Sequence, residues 1–275
     1  MKKVFMLIFF LSLSIDLLYA QQVISTDFES HRTGTPHQIK YWEADGFTPD
    51  WDMGMNERSL VDSSFSVSGK KSLRITYSQG FSGPQKNGAQ VSLILPDRDQ
   101  YYMSYWLRFS ENFDFNQGGK LPGLAAGGLC SGGQICDGTN GFTARFMWQR
   151  EGGSILYLYH MDKPGKWGDS KPLIYSSSER VIFEKDKWYH IMERVKINSS
   201  GNNYDGEVEV WINNSPVLLR KGLRFTSNGE KVNRFSFSTF HGGSGPDFAP
   251  AETCYIWFDD LIISENKDDV KMLSK

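Results

Sequence analysis

Gly141-Phe-Thr-Ala-Arg-Phe-Met-Trp148 and Ser154-Ile-Leu-Tyr-Leu-Tyr-His160 alternate between two kinds of side chain. In an extended strand, residues two apart share a face. One face therefore carries Phe142, Ala144 and Phe146, with Leu156 and Leu158 on the second run. The other face carries Thr143, Arg145, Tyr157 and Tyr159. Two such strands, five residues apart, suit hairpin neighbours with one face in a core and one polar face exposed. The same parity also fits an ordinary solvated face covered by tyrosines.

The period-2 signal continues outward in both directions. Ser72–Tyr77, Ala89–Leu95, Tyr102–Phe109, Trp188–Val195, Gly206–Ile212, Arg234–Thr239 and Tyr255–Ser264 are short and rich in aromatic or β-branched residues. Gly, Asn, Asp or Pro turns separate them, and no amphipathic helix of three turns follows residue 20. The fold predicted is all-β, an antiparallel β-sandwich of jelly-roll type. There is no internal repeat and no linker, so residues 22–265 read as one domain, and the charged stretch 266–275 as a flexible tail.

Within its 275 residues the chain is 39% hydrophobic and 14% aromatic, enough to build a sizeable core. The formal charge of -2 argues against a nucleic-acid partner, which calls for a basic surplus. Lys2 and Lys3 precede an apolar run from Val4 to Ile15, and Ala20 closes the segment. That pattern is a secretory signal peptide over residues 1–20, too short for a comfortable membrane span. The expected product is secreted or periplasmic, free of the membrane after cleavage, and monomeric. Cys130 and Cys136, six apart in a Gly-rich loop, fit an oxidising compartment and a local disulfide, with Cys254 left over. The spacing is not that of a zinc site.

Familiar catalytic signatures are missing: no G-x-S-x-G, no Walker A loop, no G-x-G-x-x-G and no H-E-x-x-H. His241-Gly-Gly-Ser-Gly245 has no nucleophile elbow to serve and reads as a sandwich-edge turn. Asp259-Asp260 suits either a cation or loop amides. What remains is a concentration of basic and phenolic groups, with Lys120 among glycines in Phe115-Asn-Gln-Gly-Gly-Lys-Leu-Pro-Gly-Leu124, followed by the Arg and Tyr strands. Trp148 and His160 fall on the core side by parity, whereas Trp167 lies in a loop able to border a groove.

Gly118-Gly-Lys-Leu-Pro-Gly-Leu124, Gly141-Phe-Thr-Ala-Arg145 and Tyr157-Leu-Tyr159 together resemble polysaccharide lyase family 14. The similarity extends from about Val61 to Ser264, through Tyr101–Phe109, Phe240-His-Gly-Gly243 and Trp257-Phe-Asp-Asp260. It implies a β-jelly roll that cleaves a polyuronate by β-elimination, with alginate the leading substrate and glucuronan or another glucuronate-containing glycan the alternative. Family roles fall on Lys120, Arg145, Tyr157 and Tyr159 as catalytic residues. Thr143, Trp167 and His241 are the expected substrate contacts, although the family often has Ser where this chain has Thr143.

The residue types suit that chemistry. Arg145 can neutralise a uronate carboxylate with a two-pronged donor and so acidify the neighbouring C5 proton. Lys120, or an ionised tyrosine, can take that proton, and a neutral phenol can protonate the leaving O4. The scheme calls for no metal and no cofactor. Two competing classes are a non-catalytic carbohydrate-binding sandwich and a glycoside hydrolase dependent on two acids.

Overall fold

The computed structural model describes residues 23–243 and 245–272. The expected signal peptide lies outside them. The strands are β1 (Ile24–Thr26), β2 (Thr48–Met53), β3 (Ser59–Asp62), β4 (Ser72–Tyr77), β5 (Ala89–Arg98), β6 (Gln100–Phe109), β7 (Gly118–Leu121), β8 (Gly123–Ala126), β9 (Phe142–Gln149), β10 (Ser154–Tyr159), β11 (Asp169–Pro172), β12 (Trp188–Lys196), β13 (Gly206–Ile212), β14 (Ser215–Leu223), β15 (Val232–His241) and β16 (Cys254–Ser264). Short helices are α1 (Ile39–Ala44), α2 (Met55–Arg58) and α3 (Lys267–Val270). None of the described helices is long and apolar enough to cross a membrane.

Two antiparallel sheets face each other. One runs β14-β13-β12-β6-β16-β4-β3, with β1 added on β16. The other runs β11-β10-β9-β7-β15-β5-β2, with β8 between β15 and β9 beyond the end of β7. Successive strands such as β4, β5, β6 and β7 alternate between the sheets, which makes the sandwich a jelly roll.

The core is where alternation placed it. Leu73, Ile75 and Tyr77 of β4 and Leu107 and Phe109 of β6 face Phe142, Ala144, Phe146 and Trp148 of β9, Leu156 and Leu158 of β10, and Phe235 and Phe237 of β15. All are buried, and each large apolar side chain among them contributes roughly 1.5–3 kcal/mol by leaving water. The aromatic share of the sequence is spent here: Tyr77, Phe109 and Phe113 pack edge-on around Trp148 at 5.3–6.0 Å.

One acid is buried in this core. Glu193 of β12 is fully buried, and its Oε2 accepts the Leu124 amide at 2.9 Å, while Oε1 has no partner. Burial holds its carboxyl well above the ordinary value, so it folds as the neutral acid. An acid with a raised native pKa binds more protons folded than unfolded, so its contribution is lost as pH rises above the unfolded value of 4.5. Glu193→Gln, a neutral isostere, should therefore raise the melting temperature at neutral and alkaline pH. It should leave it unchanged near pH 4, in thermal melts across pH.

The described part of the expected tail, residues 266–272, is ordered against the sandwich. Residues 267–270 form α3 rather than a frayed end. Asn266 caps it by accepting the Asp268 amide at 3.1 Å, Val270 packs against Met192 and Trp211, and the Lys267 ammonium lies 3.8 Å from the Trp211 ring centre. A four-residue helix does not stand alone, so these tertiary contacts hold it. Asp259 satisfies loop amides, one of the two uses its sequence suggested. It is buried, and its carboxylate accepts the amides of Val67 at 2.7 Å and Asp260 at 2.8 Å.

Candidate active site

The site is built on the outer face of the sheet that contains β9 and β10. These strands pair antiparallel with Arg145 opposite Tyr157 and Thr143 opposite Tyr159. β7 runs along the other side of β9, with Lys120 opposite Met147. Lys120, Arg145, Tyr157 and Tyr159 are thus brought together by register alone.

β7 can enter this sheet because glycines stand where side chains would collide, at Gly119 within it and at Gly123, which opens β8. A side chain at Gly119 would stand 2.1 Å from the Trp148 ring, and one at Gly123 would stand 1.9 Å from the Ala144 carbonyl oxygen. Only hydrogen fits at either place, and that close approach carries Lys120 between β9 and β15.

The Lys120 ammonium group lies 3.1 Å from Met147 Sδ and 4.3 Å from the centre of the Tyr157 ring. Arg145 Nη1 donates to Ser238 Oγ at 3.3 Å, and Ser238 Oγ donates to Gln90 Oε1 at 2.8 Å. Arg145 Nε has no partner. Lys120 and Arg145 are 9% and 7% exposed, and among the described residues neither has a carboxylate within ion-pair distance. Two nearly buried basic groups without an anion are costly to charge, and the site is therefore short of negative charge. Burial, then the neighbouring Arg145, pushes the Lys120 pKa well below its ordinary value. Burial likewise lowers that of Arg145, an effect its two phenolic neighbours oppose.

The phenols are held by backbone donors. Tyr157 Oη accepts the Gly168 amide at 3.1 Å and Tyr159 Oη accepts the Gly133 amide at 2.9 Å, with the two oxygens 3.5 Å apart. Burial is the largest cause that raises the Tyr157 pKa to about 12, so it is a neutral donor at pH 7.

The polar face is less open than alternation alone implied. Two loops fold over it: residues 127–141, closed by the Cys130–Cys136 disulfide, and residues 160–168. Tyr159 is left 1% exposed. Thr143 is buried beneath the disulfide loop and gives its hydroxyl to the Cys130 carbonyl at 3.1 Å, so it supports the loop rather than presenting that hydroxyl beside Lys120 and Arg145. His241 is a clearer correction. It is fully buried, its Nε2 lies 2.6 Å from the Asp114 carbonyl, and its ring packs on Tyr77, Phe113 and Trp148. Its parity on β15 is that of Phe235 and Phe237, so it faces the core. Trp167, by contrast, is 55% exposed at the rim, where it approaches Gly133 of the disulfide loop.

Residues 66–261 match the family described as Polysaccharide lyase 14. The chain belongs to polysaccharide lyase family 14. No curated protein matches it. Among solved structures it is similar to alginate lyase Aly36B, at 27% identity and a TM-score of 0.73 over 88% of this chain and 96% of that one. It is similar to the marine PL-14 alginate lyase from Aplysia kurodai, at 27% identity and a TM-score of 0.68 over 84% of this chain and 96% of that one. The fold also matches alginate lyase vAL-1 from Chlorella virus, at 24% identity and a TM-score of 0.66 over 86% and 99% of the two chains.

In this family 14 polysaccharide lyase, three further side chains join the site: Met147, Ser238 and Gln90. The alternation that found Arg145 also points to them. Met147 is two residues from Arg145, and Phe235-Ser-Phe-Ser238 and Gln90-Val-Ser92 each put a polar residue on every second position. The assembly offers a fixed guanidinium for an anion, an amine biased toward its neutral form, and the neutral Tyr157 hydroxyl beside it.

Proposed function

We propose that this chain is an exported, endo-acting polyuronate lyase with alginate as its leading substrate, releasing unsaturated uronate ends by β-elimination. The observation that carries this is the nearly buried Arg145 guanidinium, which lacks a carboxylate, beside the Lys120 amine and the Tyr157–Tyr159 pair. A uronate carboxylate supplies the missing charge. The two alginate lyases at 27% identity support the choice of polymer. Lys163 and Lys166, in the loop that borders Trp167, add local positive charge for an acidic chain despite the net charge of -2.

Arg145 binds the carboxylate and stabilises the charge that moves into it as C5 loses its proton. The neutral Lys120 amine accepts that proton. The electron pair of the C5–H bond forms the C4–C5 double bond, the C4–O4 bond breaks, and a phenol of the Tyr157–Tyr159 pair gives its proton to the departing oxygen. Transfer through solvent from the Lys120 ammonium back to the phenolate resets the enzyme.

The test is a panel of mannuronate and guluronate blocks of alginate, glucuronan and glucuronate-containing glycans, followed by the ultraviolet absorbance of the unsaturated product. Absorbance should rise most on alginate. Binding without absorbance would indicate a carbohydrate-binding sandwich, saturated reducing ends a hydrolase, and a preference for glucuronan the other branch of substrates.

A further inference from the structure

Away from the Lys120–Arg145 site, the segment between β1 and β2 gathers three groups of ligand type. His31 lies in the turn after β1, His37 just before α1, and Asp45 at the C-terminal end of α1. His31 Nε2 is 2.7 Å from Asp45 Oδ1, and His37 Nε2 is 3.6 Å from Asp45 Oδ2. One ligand atom from each lies within 4.8 Å of the others. Thr26 Oγ1 donates to Asp45 Oδ2 at 2.7 Å and fixes the carboxylate.

His37 is the unusual member. Its side chain is fully buried, edge-on to Phe28 at 5.3 Å and Trp42 at 4.7 Å, and neither ring nitrogen has a hydrogen-bond partner. Unpartnered buried nitrogens are costly, and native interiors seldom keep them without a reason. Here one of them is aimed at a carboxylate that a second imidazole already touches.

We propose that His31, His37 and Asp45 form a binding site for a divalent metal of zinc-like preference. Two imidazoles and one carboxylate are the donors that zinc takes, whereas calcium calls for an all-oxygen shell. Ligands about 2.1 Å from a tetrahedral zinc stand roughly 3.4 Å apart, and the His37–Asp45 separation of 3.6 Å is already close to that. The closer His31–Asp45 contact is a hydrogen bond whose proton leaves as the metal enters. Asp45, Thr26 and Ser30 also line a cavity of about 750 Å³, a path by which an ion can reach the carboxylate. The metal site shares no residue with the Lys120–Arg145 site, so its role is to fasten: β1 is three residues long and among the described residues pairs only with β16, and the metal ties the segment that follows it to the sandwich.

The test uses tag-free protein, stripped with a chelator and titrated with zinc chloride, cobalt chloride and calcium chloride. One equivalent of zinc should bind and raise the melting temperature, cobalt should give the visible bands of a four-coordinate ion, and calcium should do neither. Asp45→Asn keeps an acceptor for Thr26 but removes the anionic ligand. It and His31→Gln should each lower zinc affinity by at least the roughly 100-fold that losing a mere outer-shell partner can cost. Lyase activity of the stripped protein at low temperature should equal that of the zinc-loaded form. No zinc uptake by the parent, or equal uptake by both variants, overturns the proposal.

Discussion

Lys120→Ala should lower kcat by about 10²–10⁴, the scale of a lost general base, and leave the sandwich folded. The side chain is nearly buried, its nearest polar contact is a thioether, and its charged neighbour is Arg145. Those surroundings favour the free amine, which is the form that removes a proton. The parent's kcat/KM should rise with pH through an ionisation well below the ordinary lysine value of 10.5, and that limb should vanish in the variant. On substitution, stability should move the other way from activity. A lysine with a lowered native pKa binds more protons unfolded than folded, so it weakens the fold below 10.5, and part of this penalty is relieved as pH rises above the native value. Lys120→Met, which places an apolar chain beside Met147, should therefore melt higher than the parent at pH 7 while being inactive. Paired melts and rates on alginate read both effects. Undiminished kcat in Lys120→Ala would move the base to the phenols.

The alternating strands explain how much of this was legible. On β9 and β10 every second residue is strongly apolar, so the faces are assigned by sequence, and the observed pairing of Arg145 with Tyr157 follows from joining two such strands by a short turn. β7 was not legible as a strand, because Gly118, Gly119 and Pro122 are punctuation by composition. Its glycines are there to let β7 pass close to Trp148, a reason that appears only once β9 is beside it. The covering loops were hidden for a similar cause. The contacts from Gly133 to Tyr159 and from Gly168 to Tyr157 join segments whose own sequences signal only turns.

His241 shows the opposite failure, in which local signal misleads. The two glycines after it look like a loop near a site, yet β15 continues to His241 in the parity of Phe235, Phe237 and Thr239. Extending the alternation by two residues puts the imidazole in the core. There burial lowers its pKa to about 4 and keeps it neutral. The end of the chain carries the same lesson: Val270 is one apolar residue among charges, and nothing local shows that Met192 and Trp211 wait to receive it.

Arg145→Lys should be nearly as damaging as Arg145→Ala, with kcat reduced by about 10²–10³ in each, the range for losing a preorganised donor to developing charge. The charge alone is not what the position supplies. Ser238, itself held by Gln90, fixes one edge of the guanidinium, and Nε is left without a partner, so the planar group is oriented before anything binds. A lysine there has a single rotatable ammonium, cannot present two parallel donors to a carboxylate, and is readily neutralised by the burial that also neutralises Lys120. The loss should fall on kcat more than on KM, because the carboxylate carries more charge as C5 is deprotonated than it does in the bound polymer. Ser238→Ala is the graded control: the guanidinium remains but loses its fixed edge, so kcat should fall by less than in either Arg145 variant. Arg145→Met separates chemistry from folding, since removing a buried cation that has no anion should raise the melting temperature while activity is lost. If Arg145→Lys instead turned over alginate at the parent rate, the carboxylate would be held by another group, and the buried guanidinium without an anion would have to be explained without it.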